Sequence, residues 1–263
     1  MVLDALIQLV REVAATEVMP RFLRVGSSRK DDGSLFTEAD IAAQNAFAQG
    51  LTAIANYPML GEEMAKCDQT ALWQQNPDGL WVVDPIDGTT NFINGLPHFA
   101  LSAALVKNGV SQLGVVFNPY TNELYAAERG GGAYMNDTPL PIKRTLNPLS
   151  EAIAGVEVKY LRSGKLASRM QTLAPCGSQR SMGSSTLDWC YLATGRYDVY
   201  VHGGQKLWDY AAGALIFEEA GGQLATLEGD EFWSGEHVFS RSAIAALQPE
   251  LFSVWLKWIR NNQ

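Results

Sequence analysis

The sequence predicts a layered α/β fold. Three observations carry that reading: helical periodicity at both ends of the chain, a block of short apolar strands between residues 80 and 140, and alternating helical and strand-like stretches beyond residue 152. With 263 residues, 47% of them hydrophobic and 18% charged, the chain has globular composition and enough length for one large domain. The order of its segments suggests two closely packed halves, about 1–145 and 146–263, within a single domain spanning 1–263.

The elements follow in order. Val2, Leu6, Leu9, Val10 and Val13 fall on one helical face, and Pro20 stops a helix expected from Val2 to about Val18. The polar run from Arg24 to Ser34 reads as a loop. A second helix begins near Thr37 and passes Leu51, with Thr37 and Asp40 spaced as a capping box. Tyr57–Leu60 has the makings of a short strand, and Leu80–Val83, Ala100–Val106 and Leu113–Phe117 read as strands. Gly130-Gly131-Gly132 and Asn136-Asp137 mark hairpin turns. Ala152–Val158 opens the second half. A helix starts near Ser181–Thr186 and closes at Gly195. The apolar run Leu207–Phe217 forms a helix stopped by Gly221-Gly222, and an amphipathic helix carrying Leu251, Trp255 and Ile259 starts near Pro249.

Composition excludes several classes of function. A net charge of −8 is a poor match for a surface that neutralises nucleic-acid phosphates, so no direct nucleic-acid binding is expected. No apolar run is long enough to span a membrane, and no signal-peptide layout precedes the first helix; a cytoplasmic location is the expectation. Cys67, Cys176 and Cys190 are widely spaced and match neither a zinc pattern nor a disulfide framework. An acidic chain can still take a small anionic substrate, provided that metal ions among its carboxylates set the local field.

The densest chemical signal is Trp81-Val82-Val83-Asp84-Pro85-Ile86-Asp87-Gly88-Thr89-Thr90-Asn91-Phe92. An apolar strand delivers Asp84 and Asp87 at its carboxyl end, and Pro85 stiffens the turn between them. Rigid carboxylates suit a hard, oxygen-seeking cation, and the carbonyl of Ile86 between them can add an oxygen. Gly88 permits close backbone approach, and Thr89-Thr90 would open a short helix whose free N–H groups can cradle phosphate. Carboxylates beside a phosphate cradle point to metal-assisted phosphoryl transfer to water.

Such a cluster needs further acids. Glu62 and Glu63 follow the Tyr57–Leu60 segment, although two glutamates alone also suit a solvated loop. Asp209 sits in the first turn of an almost wholly apolar helix, either as a cap or as a buried carboxylate in want of a cation. Gly183-Ser184-Ser185 at a third helix start could offer donors to a substrate or merely cap. From the residues alone, Asp40 reads as structural.

Taken together, Gly61-Glu62-Glu63, Asp84–Phe92 and Trp208-Asp209-Tyr210-Ala211-Ala212-Gly213 through Glu219-Ala220-Gly221-Gly222 resemble the signature motifs of the inositol monophosphatase family. The resemblance covers most of the chain and implies a five-layer αβαβα sandwich, a homodimer, Mg²⁺ dependence with two or three ions, and lithium sensitivity. Carried over, it makes Glu62, Asp84, the Ile86 carbonyl, Asp87 and Asp209 metal ligands. Thr89, with Asp40 behind it and Glu62 alongside, would orient the attacking water. Gly88, Thr89 and Thr90 would hold phosphate through the backbone. Gly183, Ser184, Ser185, His202, Asp87 and Asp209 would line the substrate side, and Lys30 would reach in from its loop.

The implied activity is hydrolysis of a small phosphorylated metabolite by a metal-activated water. One position departs from the pattern: His202 stands where inositol-specific members carry a glutamate, and the Lys159–Ser178 segment is short for such a member. Both features keep 3′(2′),5′-bisphosphate nucleotides, histidinol phosphate and fructose 1,6-bisphosphate open as substrates. A regulatory protein-binding role in transcription, which some bacterial members have, is the expectation from outside enzymology.

Overall fold

Alternation along single strands builds the layers of this molecule. The computed structural model describes residues 1–24, 26–29, 35–142, 147–157, 161, 164–229, 231–234 and 237–263. Helix α1 (Val2–Val13) buries Leu6, Val10 and Val13, then widens into a π-helical turn (Ala14–Val18) and a 3-10 turn (Met19–Arg21). Strand β1 (Ser27–Arg29), within the stretch expected to be loop, pairs with β2 (Leu35–Thr37) just beyond it as a small antiparallel sheet. Helix α2 (Glu38–Ile54) follows, capped by Thr37.

The next elements are β3 (Met59–Gly61), α3 (Lys66–Gln75), β4 (Leu80–Asp87), α4 (Thr89–Ile93), β5 (Ala100–Lys107), β6 (Val110–Asn118), β7 (Glu123–Glu128), β8 (Ala133–Met135) and β9 (Thr138–Pro139). The remainder comprises β10 (Ile153–Glu157), α5 (Lys165–Thr172), β11 (Ser178–Arg180), α6 (Ser185–Thr194), β12 (Val199–Gln205), α7 (Leu207–Glu219), β13 (Gln223–Ala225), β14 (Arg241–Ala246) and α8 (Pro249–Asn262). One sheet runs β3-β4-β5-β6-β7-β8-β9 and a second runs β11-β10-β12-β14-β13, so the chain passes between them after Pro139 and before Ile153.

Successive strand residues face opposite sides of a sheet, and here both sides are apolar. On β4, Leu80 and Val82 join the core between the sheets, whereas Trp81 and Val83 join the core beneath α1 and α2. On β14, Ala243 and Ala245 face inward and Ile244 and Ala246 face α8. Three cores separated by two sheets give helices, sheet, helices, sheet, helices, which is the αβαβα sandwich the resemblance implies. No helix among the described residues is long and apolar enough to cross a membrane.

The central layer, α6 and α7, positions the site. Helix α7 is buried from Tyr210 through Phe217 and lies hard against both neighbours. A Cβ at Gly114 of β6 would sit 2.9 Å from the Ala212 carbonyl oxygen, and one at Gly213 would sit 2.6 Å from Trp189 of α6. At its far end, Glu219 accepts the N–H groups of Gly130 and Gly132, and Glu218 accepts from Arg129 and Trp233. The middle and the far end of the helix are thus fixed.

Candidate active site

The site lies where chain segments from both sheets end together. Strands β3 and β4 run parallel, with Gly61 opposite Val83, so the next residues, Glu62 and Asp84, are neighbours. The charge of Glu62 therefore bears directly on the Asp84 carboxyl. Gln69 of α3 holds the Glu62 turn by donating to the carbonyls of Gly61 (2.9 Å) and Glu62 (3.1 Å). β4 continues further than expected, through Asp84 to Asp87, with an irregularity between them that turns both side chains to one pocket.

From the other half, α7 begins at Leu207. Asp209 is its third residue, accepting the Lys206 N–H at 2.8 Å. One carboxylate oxygen each from Asp84, Asp87 and Asp209 can be chosen so that all lie within 4.8 Å of one another. Asp84 is buried; Asp87 and Asp209 are partly exposed. Asp209 thus shares one corner with Asp84 and Asp87, which precede it by 125 and 122 positions, and Glu62 lies at its edge.

The electrostatics of this corner are unfavourable in the absence of a cation. Burial, then the charges of Glu62, Asp87 and Asp209, push Asp84 well above the ordinary carboxylate range. Asp209 is pushed up by burial and by Asp87, with the Lys206 N–H pulling it partway back. Burial also raises Asp87, against the hydroxyls of Ser184 and Thr186 and the Thr186 N–H, which favour its charged form. Rigid, oxygen-only donors that repel each other until a positive charge arrives match a hard divalent cation. The donor set fits such an ion.

Gly88 adopts φ +86°, and α4 starts after it. A Cβ at Gly88 would meet the carbonyl oxygens of His98 (3.0 Å) and Gly183 (3.3 Å), so the loop bearing Gly183 lies directly on the first acidic motif. The Thr89 hydroxyl donates to the Ile86 carbonyl at 3.0 Å. Asp40 completes the capping box of α2, its Oδ2 accepting from the Thr37 N–H and hydroxyl, both at 2.7 Å. β2, which ends at Thr37, packs against α4, which begins at Thr89. Thr90 and Gly183 are exposed and Ser185 is half-buried.

Two expected substrate contacts sit differently. Ser184 is buried, and its hydroxyl donates to Asp87 at 2.6 Å rather than opening to solvent. His202 is 0% exposed within β12, its Nδ1 accepting the Gly204 N–H at 3.0 Å; its ring has no surface to offer a substrate in this conformation. The strand ladder places His202 opposite Glu157, an acid at the end of β10 that the sequence reading did not single out and that accepts the Ser181 hydroxyl. Lys30 lies outside the described residues, as does the start of the Lys159–Ser178 segment.

A five-layer αβαβα sandwich with an acidic corner at the ends of its strands defines a class, and the comparisons agree on which. The sequence profile of the inositol monophosphatase family matches residues 1–262, and the chain belongs to that family. It is 40% identical over 209 residues to an inositol-1-monophosphatase of Rhizobium meliloti, covering 77% of this chain and 76% of that protein. It is 36% identical over 216 residues to the Nus factor SuhB of Pasteurella multocida, covering 78% and 79% respectively. Among solved structures, the IMPase of Thermotoga maritima superposes with a TM-score of 0.80 at 31% identity, with 99% of each chain covered.

Proposed function

We propose that this chain is a phosphomonoesterase that hydrolyses a small phosphorylated metabolite, using divalent cations, Mg²⁺ first among them, held by Glu62, Asp84, the Ile86 carbonyl, Asp87 and Asp209. The observation that carries the reading is the meeting of Asp84, Asp87 and Asp209 within 4.8 Å from opposite halves of the chain. When bound, two or three such ions would neutralise the phosphate ester and acidify water.

The chain's own groups supply the rest. The backbone of Gly88, Thr89 and Thr90 holds the phosphate at the start of α4. Thr89 and Glu62, with Asp40 behind them, orient the attacking water for in-line displacement. Gly183 and Ser185 border the space for the rest of the substrate, where His202 would enter only after β12 loosens. Inositol 1-phosphate is placed first among substrates because the Rhizobium meliloti relative is named for that activity. Lithium sensitivity and a homodimer belong to the same reading, as does a division into subdomains near residue 145.

Phosphate release measured across inositol 1-phosphate, 3′-phosphoadenosine 5′-phosphate, histidinol phosphate and fructose 1,6-bisphosphate tests it. Mg²⁺-dependent turnover of any one supports a phosphomonoesterase and names its preference; no turnover of any of them, with Mg²⁺ present, sinks the proposal.

A second reading is favoured by the 36% identity to a Nus factor: a protein-binding role in transcription, with or without catalysis. D84N separates the two. A cellular phenotype of gene deletion that D84N rescues in full belongs to the binding role, whereas one it fails to rescue belongs to catalysis.

A further inference from the structure

Every hydrogen bond described for the Asp87 side chain falls on one oxygen. Its Oδ2 accepts from the Ser184 hydroxyl at 2.6 Å, the Thr186 hydroxyl at 2.7 Å and the Thr186 N–H at 2.8 Å. Ser184 is the N-cap of α6, and its Oγ also receives the Leu187 N–H at 3.4 Å, so capping of this helix is already in hand. The Thr186 hydroxyl adds nothing to that cap. It is 0% exposed and points its proton across 99 positions of sequence to a carboxylate of the other half.

A carboxylate has about four lone-pair sites, two on each oxygen, and three donors saturate Oδ2. We propose that Thr186 is a positioning residue for the cation site: with Ser184 it locks the Asp87 rotamer, occupies Oδ2 and leaves the other oxygen to a divalent cation shared with Asp84 and Asp209. This rests on the metal-binding reading above and extends it to a residue with no place in the acidic motifs. The physical reason is general. Groups that hydrogen-bond a metal ligand fix its orientation before the ion arrives, so their loss is felt as weaker binding. Thr186 also ties β4 to α6, so the two halves meet the cation as one rigid unit.

The test is calorimetric titration of Mg²⁺ into the full-length wild type, T186V, T186S and T186A, with melting temperatures recorded in chelator. T186V and T186A are expected to bind Mg²⁺ about tenfold more weakly, and T186S to stay within about twofold of wild type, since only the hydroxyl is at issue. The half-saturating Mg²⁺ for phosphate release should rise in parallel while the KM for substrate at saturating metal holds. Binding by T186V equal to wild type overturns the inference, as does T186S binding no better than T186V. Should the valine variant not fold, the alanine and serine variants carry the same comparison. A wild type that binds no divalent cation at all overturns the metal site itself, and this inference with it.

Discussion

The side-chain amide of Asn91 lies 2.8 Å from the carbonyl oxygen of Met182 and 2.7 Å from that of His98. One buried amide thus joins the helix that opens at Thr89 to the loop that carries Gly183. Both bonds use the two N–H donors of Nδ2, and neither carbonyl is repeated in a strand ladder. Replacing Asn91 with alanine strands the buried His98 carbonyl at about 1–3 kcal/mol and releases the partly buried Met182 carbonyl to water. N91A should therefore melt at a lower temperature and show a raised KM. Its calorimetric affinity for Mg²⁺ should stay near wild type, because the amide touches none of the carboxylates. A variant with unchanged KM would show that the Gly183 loop keeps its place without this amide.

Gly88 is the other constraint at this junction. Its φ of +86° is a region that costs a side-chain-bearing residue about 1–2 kcal/mol, and a Cβ would press on two carbonyl oxygens at 3.0 and 3.3 Å. Those oxygens belong to backbone at His98 and Gly183 and cannot swing away. G88A should therefore displace the Gly183 loop and lower kcat/KM by more than tenfold, with a stability loss of about 1–3 kcal/mol. Denaturant unfolding beside steady-state kinetics checks both parts.

These two residues also mark the boundary of what could be read from sequence. Asp84, Asp87 and Gly88 were legible because the strand, the proline and the turn that aim them are their own neighbours. Asp209 was legible because the helix behind it has almost no polar face. The capping box of Thr37 and Asp40 and the buried stripe of Leu251, Trp255 and Ile259 follow from local spacing in the same way. What escaped depends on partners far along the chain. Thr186 reads as an ordinary first-turn residue until Asp87 is placed beside it, and Gln69 until the Glu62 turn is. Helix α3 hid because only Gln69 of its ten residues is buried, so no apolar period announces it. Strand β1 hid in a polar stretch with no alternation to read, and β2, three residues long, is too short to show one. His202 looked available at a strand end, but its strand is covered on both faces.

Close packing of α7 predicts a third outcome. A methyl at Gly114 would stand 2.9 Å from the Ala212 carbonyl oxygen and 3.0 Å from its Cα, both backbone atoms of a helix tied at its far end by Glu218 and Glu219. The strand and helix can separate only by moving Asp209. G114A should cost about 1–3 kcal/mol of stability, the usual penalty for overpacking. It should also weaken Mg²⁺ binding, though the glycine lies on β6 and outside the site. Thermal denaturation and calorimetry on the same preparation test this. A destabilised variant with unaltered metal affinity would mean that α7 shifts without carrying Asp209 along.

The acidic corner itself sets a pH dependence whose sign follows from its carboxyl groups. Asp84, Asp87 and Asp209 are all raised above their ordinary values, with burial the largest cause and mutual repulsion adding to it. In chelator, the folded chain therefore holds protons on these groups that the unfolded chain has already lost. Stability then falls as pH rises from the ordinary carboxylate value, about 4, toward the higher folded values, because each ionisation adds charge to a buried cluster. A divalent cation reverses the balance by favouring the ionised form. The rise in melting temperature on adding Mg²⁺ should accordingly be larger at pH 8 than at pH 5. D84N removes the most deeply buried charge. It should melt no lower than wild type in chelator at pH 8, lose most of the Mg²⁺-induced rise and lose phosphate release. Thermal scans at the two pH values, with and without Mg²⁺, decide it. A D84N variant much less stable than wild type in chelator would show that the Asp84 carboxylate is satisfied by the protein alone and is not waiting for a cation.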